Sequence, residues 1–511
     1  LIMLLAISVV CLSLVVHPQW SKREHLRYPV ATFAAALMGA TDDEDGRPVF
    51  TRRLFWIGLG VILAIHIVNG MTTWGIWRFR IPLRFSFWPI AQTWPEVARV
   101  PRINQLLSVA IYPTAVAIGF MLSSQVSFSL GIGPPVLAVI SGVLLSVGVD
   151  MSSDHVTGGL INYQLFGSYL ALALLGIYTG RKYYGHVLAH AVTFRRRSDS
   201  NATAAWACRI GLLATAATVA LLISLGLDWP LAVAMVGMTL MMFLVMARIN
   251  AESGLFYCQP FWQPVTIFLG LFGLSALGPK MVAILAMLGA VLTIDPRECL
   301  MPFVVNALKM CESVKVRPSR VGVVSVVAVG VALAVALPVG LWANYNYGIF
   351  GRDRWAAEVV PEKTYGIVEK TVATMTEDQL AASVEMGSWE RIKAMRPNRL
   401  LIRAAGVGFL LVLVGSALRL RYARFPLHPV LFLVWGTGPI GHFSHSFLLG
   451  WLIKSVVTRY GGGQAIYRRA TWLMFGVIAG DLLGGLIWMA AGAVYSTVTG
   501  YDPPVYRTFP G

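Results

Sequence analysis

A carboxylate, Asp481, stands near the start of the apolar stretch GVIAGDLLGGLIWMAAGAV at 476–494, which is long enough to cross a bilayer. An ionisable side chain inside a bilayer costs about 3 kcal/mol or more, so Asp481 is a candidate functional group. Four small neighbours that permit close helix approach lie on or near one helical face with it: Gly476, Gly480, Gly484 and Gly485. Two roles follow: proton coupling or gating in a wet protein interior, or an interfacial ion pair with Arg468 or Arg469.

A second polar cluster follows an apolar helix, in ARINAESGLFYCQPFWQP at 247–264. Arg248 and Glu252 are four residues apart on one helix face, which favours a mutual ion pair. The polar and aromatic run after them includes Tyr257 and Gln259 and is flanked by prolines. Such a run is typical of an unwound segment that offers backbone groups and aromatic walls to a solute. Arg248 and Glu252 would then help to recognise a zwitterionic or anionic solute.

Two further segments hold polar groups among apolar ones. TIDPRECLMPFVVNALKM at 293–310 places Asp295 and Glu298 at a helix start, where Asp295 suits an N-cap. GVDMSSDHVTGGLINYQLFGSYL at 148–170 contains Asn162 beside other polar side chains. We keep all three residues as candidates for binding a substrate or a coupling ion.

His442 and His445 lie three residues apart in GPIGHFSHSF, on one face of a predicted helix. Two histidines do not make a metal site, so proton-coupled gating or simple hydrogen bonding is the better interpretation. We predict no metal and no cofactor. P-loop, nucleophile-elbow, zinc-protease and dinucleotide motifs are missing from the sequence, which argues against an ATP-driven pump or a hydrolase and predicts that the chain is not an enzyme.

The composition indicates that a lipid bilayer surrounds these groups. Hydrophobic residues form 57% of the 511 residues and charged residues 13%, and apolar runs recur along the whole chain. We therefore predict an all-α, polytopic integral membrane protein. The net charge of +17 comes from basic residues at the ends of apolar runs, which fits the positive-inside effect and lipid headgroups rather than nucleic acid.

Thirteen apolar segments predict roughly 12–14 transmembrane helices, some broken or re-entrant. The segments are 1–17, 54–75, 104–124, 129–149, 164–180, 204–226, 230–248, 265–277, 280–294, 321–344, 400–418, 440–457 and 472–497. Breaks are predicted at the Gly–Pro sequences of 131–136, 276–281 and 435–441. The chain opens directly in an apolar run, from which we expect helices before Leu1 in the natural protein.

The predicted organisation is a helical membrane region at 1–344, a polar extracytoplasmic segment at 345–399 and a second helical membrane region at 400–511. Within the polar segment, Thr376 followed by acidic residues indicates the start of a short amphipathic helix. A structured loop lying on the membrane region is the simpler interpretation of this segment. A substrate lid or a partner-docking element is the alternative.

Several stretches resemble a known family. GVIAGDLLGGLIWMAAGAV with the following YDPPVY, and FPLHPVLFLVWGTGPIGHFSHSFLLGWLIKSVVTRYG, resemble the last two membrane regions of the oligopeptide transporter superfamily. QWSKREHLRYPV, TRRLFWIGLGVILAIHIVNGM and ARINAESGL look more like a poorly characterised bacterial membrane-protein family associated with that superfamily. The resemblance implies an oligopeptide-transporter-like helical fold and secondary, proton-driven transport of peptides, related small solutes or metal chelates.

The leading hypothesis is therefore a multi-pass secondary transporter of the cell inner (plasma) membrane, whose partners are the lipid bilayer and a small-molecule or peptide solute. The first alternative is a non-catalytic subunit of a larger membrane complex or a homo-oligomer, with its helix faces and 345–399 as docking surfaces. A membrane-embedded enzyme is the least favoured interpretation, because the polar residues are scattered.

Overall fold

A computed structural model describes residues 1–38, 49–151, 153–154, 158–193, 202–255, 259–293, 299–349, 353–422, 424–461 and 463–509. In the first half of the chain, the helices are α1 (Ile2–Pro18), α2 (Pro29–Leu37), α3 (Arg53–Thr73), α4 (Pro89–Thr93), α5 (Pro95–Ala98), α6 (Ile103–Leu107), α7 (Pro113–Met121), α8 (Ser124–Ser146), α9 (Leu160–Thr193), α10 (Ala202–Ser224) and α11 (Trp229–Ser253). A π-helical turn, Gln19–Arg23, continues α1.

In the second half, the helices are α12 (Pro264–Phe272), α13 (Leu274–Leu292), α14 (Leu300–Ser313), α15 (Pro318–Tyr347), α16 (Val360–Ala373), α17 (Glu377–Glu385), α18 (Ser388–Lys393), α19 (Arg399–Arg421), α20 (Leu431–Val434), α21 (Gly438–Tyr460) and α22 (Gln464–Thr499). Two small antiparallel sheets pair β1 (Arg84–Ser86) with β2 (Ser108–Ala110) and β3 (Ser153–Asp154) with β4 (Gly158–Gly159). The fold is thus almost wholly helical.

Ten helices of the described residues are long and apolar enough to cross a bilayer: α1, α3, α8, α9, α10, α11, α13, α15, α19 and α22. Each coincides with one of the predicted segments, but the predicted count of 12–14 is too high for this part of the chain. Segment 104–124 is divided among α6, β2 and α7, and 265–277 is interrupted at Gly273, which has a φ of +78°. Segment 440–457 is a continuous helix, α21, but its histidines and Lys454 make it less apolar than the ten.

Two of the three predicted helix breaks are confirmed. Gly278 has a φ of +70° inside α13, and α20 ends at Val434 before α21 begins at Gly438. The break at 131–136 is wrong, because α8 continues through both prolines. Other helices pack closely against the glycines of this stretch, since a Cβ on Gly131 would lie 2.9 Å from the Cβ of Leu448. Packing against other helices therefore outweighs the local cost of the prolines.

The contacts divide the chain into two compact units, each made of separate stretches. Unit 1 comprises Leu1–Leu26, Met151–Glu252 and Cys258–Val414, and its main hydrophobic core joins α10, α11, α12, α13 and α16. Unit 2 comprises Arg27–Asp150, Ser253–Tyr257 and Gly415–Gly511. In unit 2, α3 packs along α22, and α21 packs on α7 and α8.

The described residues of the polar segment at 345–399 are mostly helical and belong to unit 1. The predicted helix start is confirmed: the Gln379 N–H donates to Thr376 Oγ1 over 3.4 Å, and the Thr376 N–H donates to Gln379 Oε1 over 3.2 Å. Two short helices, α17 and α18, replace the single predicted helix, because the chain leaves helical geometry between Met386 and Gly387. These helices and α16 pack against α13, as the structured-loop interpretation predicts.

Arg391 of α18 attaches this segment to the break in α13. Its guanidinium is buried and donates to Asp228 Oδ2 over 2.8 Å and to the carbonyl oxygens of Ala276 (2.6 Å) and Leu277 (2.5 Å). Both carbonyls immediately precede Gly278, where α13 loses its regular geometry. Arg391 therefore supplies donors to backbone groups that the broken helix leaves without their usual partners.

Replacing Arg391 with Gln should lower the free energy of unfolding by about 3 kcal/mol, because it leaves a carboxylate and two buried carbonyls short of donors. Arg354→Gln is the matched control, since Arg354 lies in the same polar segment and pairs with Glu358 in an exposed ion pair. That change should cost less than about 0.5 kcal/mol. Thermal unfolding of the purified variants in detergent measures both, and equal stabilities would contradict the role of Arg391.

Candidate functional site

The site in unit 2 depends on the close approach of α3 and α22. Gly476, Gly480 and Gly484 of α22 face α3, and a Cβ on Gly480 would lie 2.6 Å from the carbonyl oxygen of Leu59. A Cβ on Gly484 would lie 2.6 Å from the Cβ of His66. The predicted small-residue face is therefore confirmed for these three glycines. Gly485 instead faces Thr508, in the segment after α22.

Asp481 is fully buried on this face. Its Oδ1 lies 2.6 Å from His66 Nε2 of α3. Its Oδ2 accepts hydrogen bonds from the Thr114 hydroxyl over 2.6 Å and from the Thr114 backbone N–H over 2.9 Å. Thr114 stands in the first turn of α7, where backbone N–H groups have no partner within the helix and favour an anion. The carboxylate thus regains inside the protein the hydrogen bonds that it loses on leaving water.

A chain of hydrogen bonds leads outward from this carboxylate. His66 is buried, and its Nδ1 lies 2.8 Å from the hydroxyl of Tyr506, a half-buried residue in the segment after α22. Burial raises the pKa of the Tyr506 hydroxyl, so the phenol keeps its proton and can donate to Nδ1. His66 Nε2–H is then free to donate to Asp481. The indole of Trp488 fixes the same turn of α3 by donating to the His66 carbonyl over 3.0 Å.

The alternative pair between Asp481 and Arg468 or Arg469 is wrong. Those arginines precede Asp481 by more than three turns on the same helix, and the rise of an α-helix separates the residues by roughly 18–20 Å along its axis. Asp481 binds His66 and Thr114 instead. The predictions missed both residues and Tyr506. His66 stands in the apolar segment 54–75, so the rule that selected Asp481 would have selected it too.

Arg248 and Glu252, in unit 1, form the predicted ion pair, but its N–O distance is long at 3.9 Å. The closer partner of Arg248 is Glu24, at 2.5 Å, just after the π-helical turn. The guanidinium also lies 5.5 Å from the ring centroid of Trp20. Sequence reasoning missed Glu24 because the pair joins residues that are far apart in the chain.

Four of the remaining candidates lie in the described part of the chain: Asn162, Gln259, His442 and His445. Asn162 is buried in α9 and donates to the carbonyl of Phe261 in unit 1. Gln259 is partly buried, and His442 and His445 share α21 as predicted. Tyr257, Asp295 and Glu298 lie outside the described residues. Within the described part of the chain, no three His, Cys, Asp or Glu side chains are grouped so as to hold a metal ion.

Ten helices that are long and apolar enough to cross a bilayer, with a hydrogen-bonded carboxylate buried between two of them, indicate a polytopic helical membrane protein. The model of one protein family, DUF6785, a family of unknown function, matches residues 1–504. The chain belongs to this family. The search of curated proteins found no match.

The glycine contacts make a direct prediction about the helix pair. Gly476→Ala should lower the free energy of unfolding by about 1–3 kcal/mol, because its Cβ would collide with the backbone carbonyl of Phe55. Gly60→Ala in α3 is the control, since a Cβ there meets nothing within 4 Å. Alanine's higher helix propensity should make that change neutral or stabilising. Thermal unfolding in detergent compares them, and a tolerated Gly476→Ala would contradict the close approach.

Proposed function

We propose that the protein is a proton-coupled secondary transporter of small solutes and that Asp481 and His66 form its coupling pair. The observation that carries the proposal is the fully buried Asp481 carboxylate, joined through His66 to Tyr506. Ionisable residues that face the interior of a membrane protein are typical of proton relays and substrate pathways. A leucine at position 481 would have avoided the cost of burial.

The pair can exist in two charge states. A carboxylate with a neutral imidazole carries one negative charge, and one added proton on His66 Nδ1 makes the pair neutral. A neutral pair is cheaper to enclose in an apolar interior than a charged pair. Protonation therefore changes the relative free energies of closed and water-exposed conformations, which is the requirement for coupling a proton to a conformational change.

The solute class comes from the resemblance of the sequence to the oligopeptide transporter superfamily. On that basis we propose peptides, related small solutes or metal chelates as substrates. The proposed route into the pair is Tyr506, because its hydroxyl contacts His66 directly and its side chain is only half buried.

Replacing Asp481 with Asn should abolish solute-driven proton uptake, because the pair can no longer carry a negative charge. The assay is internal pH in proteoliposomes after addition of di- and tripeptides or metal chelates. Asp502→Asn, in the exposed segment after α22, is the matched control and should behave like the wild type. Unchanged pH dependence of uptake in Asp481→Asn would remove the coupling role.

Tyr506→Phe should slow proton uptake about tenfold, a barrier increase of about 1.4 kcal/mol. The ring that packs near Trp488 and His66 remains, and only the hydroxyl is lost. Tyr501→Phe, an exposed tyrosine of the same segment, is the control. Equal rates in the two variants would show that protons reach His66 by another path.

A second function, as a subunit of a membrane complex, is favoured by α15. Only 6% of the most apolar part of α15 is buried inside the chain, and a row of valines along this helix is exposed. Lipid covers such a surface if the chain works alone, and a partner subunit covers it if the chain belongs to a complex. Purification in mild detergent after crosslinking should give a stoichiometric partner or a second copy on α15 if the chain is a subunit, and the chain alone if it is not.

A further inference from the structure

Unit 1 contains a half-open apolar pocket between α1, α9 and α11. Its volume is about 200 Å³. The residues that line it include Val16, Trp20, Gly176, Tyr184, Val245 and Arg248. All three helices are among those that can cross a bilayer, so hydrocarbon rather than water surrounds most of this wall. The pocket is therefore suited to an apolar chain.

Basic side chains stand at the end of the pocket marked by Trp20 and Tyr184. Arg23 follows Trp20 by three residues, and its guanidinium lies 4.8 Å from the ring centroid of Tyr183. Arg181 precedes Tyr184 by three residues and lies 4.2 Å from the ring centroid of Tyr178. Lys22, Arg23, Arg181 and Lys182 are exposed.

The nearby carboxylates do not cancel this charge. Glu24 and Glu252 both lie within ion-pair distance of Arg248. Arg248 offsets one of these two carboxylates, and the four exposed cations outnumber the other, so positive charge remains for an anion at the pocket mouth. An apolar pocket beside a cluster of basic residues matches a molecule with a hydrocarbon chain and a phosphate.

We propose that this pocket binds one acyl chain of an anionic phospholipid, whose phosphate is held by Arg23 and Arg181. The acyl chain lies against Gly176, where the lack of a side chain leaves room, and Trp20 and Tyr184 stand at the boundary between chain and headgroup. Aromatic side chains with a polar edge favour that boundary. This site is separate from the Asp481 pair and does not depend on transport.

Gly176→Leu tests the pocket, because a Cβ at Gly176 meets nothing within 4 Å and a larger side chain would occupy the pocket without a backbone clash. Gly185→Leu is the matched control: a Cβ at Gly185 also meets nothing within 4 Å, on the same helix but outside the pocket lining. Native mass spectrometry of the purified chain measures binding of phosphatidylglycerol and of phosphatidylcholine with identical acyl chains.

The wild type and Gly185→Leu should bind phosphatidylglycerol at least tenfold more tightly than phosphatidylcholine, and Gly176→Leu should lose at least tenfold of the phosphatidylglycerol affinity. The double variant Arg23→Gln, Arg181→Gln changes only exposed cations and should bring the two lipids to similar affinity. Equal binding of the lipids by the wild type, or full binding by Gly176→Leu, would overturn the proposal. Competition by inorganic phosphate alone at equal strength would also overturn it, since the acyl chain would then contribute nothing.

Discussion

The hydrogen-bonded contact between Asp481 and His66 constrains the rest of unit 2. A carboxylate away from water must find several donors, and these come from two elements: the imidazole on α3 and the first turn of α7. The donors reach Asp481 only if α3 and α22 touch, which requires glycine at the contact. The glycines of α22, the buried Asp481 carboxylate and the position of α7 therefore depend on one another.

The two units use polar groups in different ways. In unit 1, Arg391 stabilises a broken helix by binding the carbonyls that precede the break, which explains how irregular backbone is tolerated in an apolar surrounding. In unit 2, the polar chain from Asp481 to Tyr506 joins three helices and the segment after α22, with all polar atoms of the carboxylate satisfied. The first arrangement stabilises irregular backbone, whereas the second connects three titratable side chains, those of Asp481, His66 and Tyr506.

Hydropathy predicted the ten membrane helices, because length and apolar content determine whether a segment can span a bilayer. Local signals also predicted the capping box at Thr376 and the break at Gly278. The partners of Asp481 and Arg248 could not be predicted, because His66 is 415 residues from Asp481 and Glu24 belongs to a different stretch from Arg248. The continuous α8 was missed for the same reason, since contacts with distant helices decide whether its prolines break it.

The order of the two residues in the chain has a consequence for biosynthesis. Because His66 precedes Asp481 by 415 residues, the ribosome makes α3 long before it makes α22. During that interval, His66 has no carboxylate partner. An unpaired imidazole is easily neutral at physiological pH, whereas an unpaired carboxylate must first take up a proton to become neutral. Since His66 and Thr114 both precede Asp481 in the sequence, the donors on α3 and α7 have already been made when the carboxylate is synthesised. Exchanging the two residues would reverse that order during synthesis and would also take the carboxylate away from its Thr114 donors.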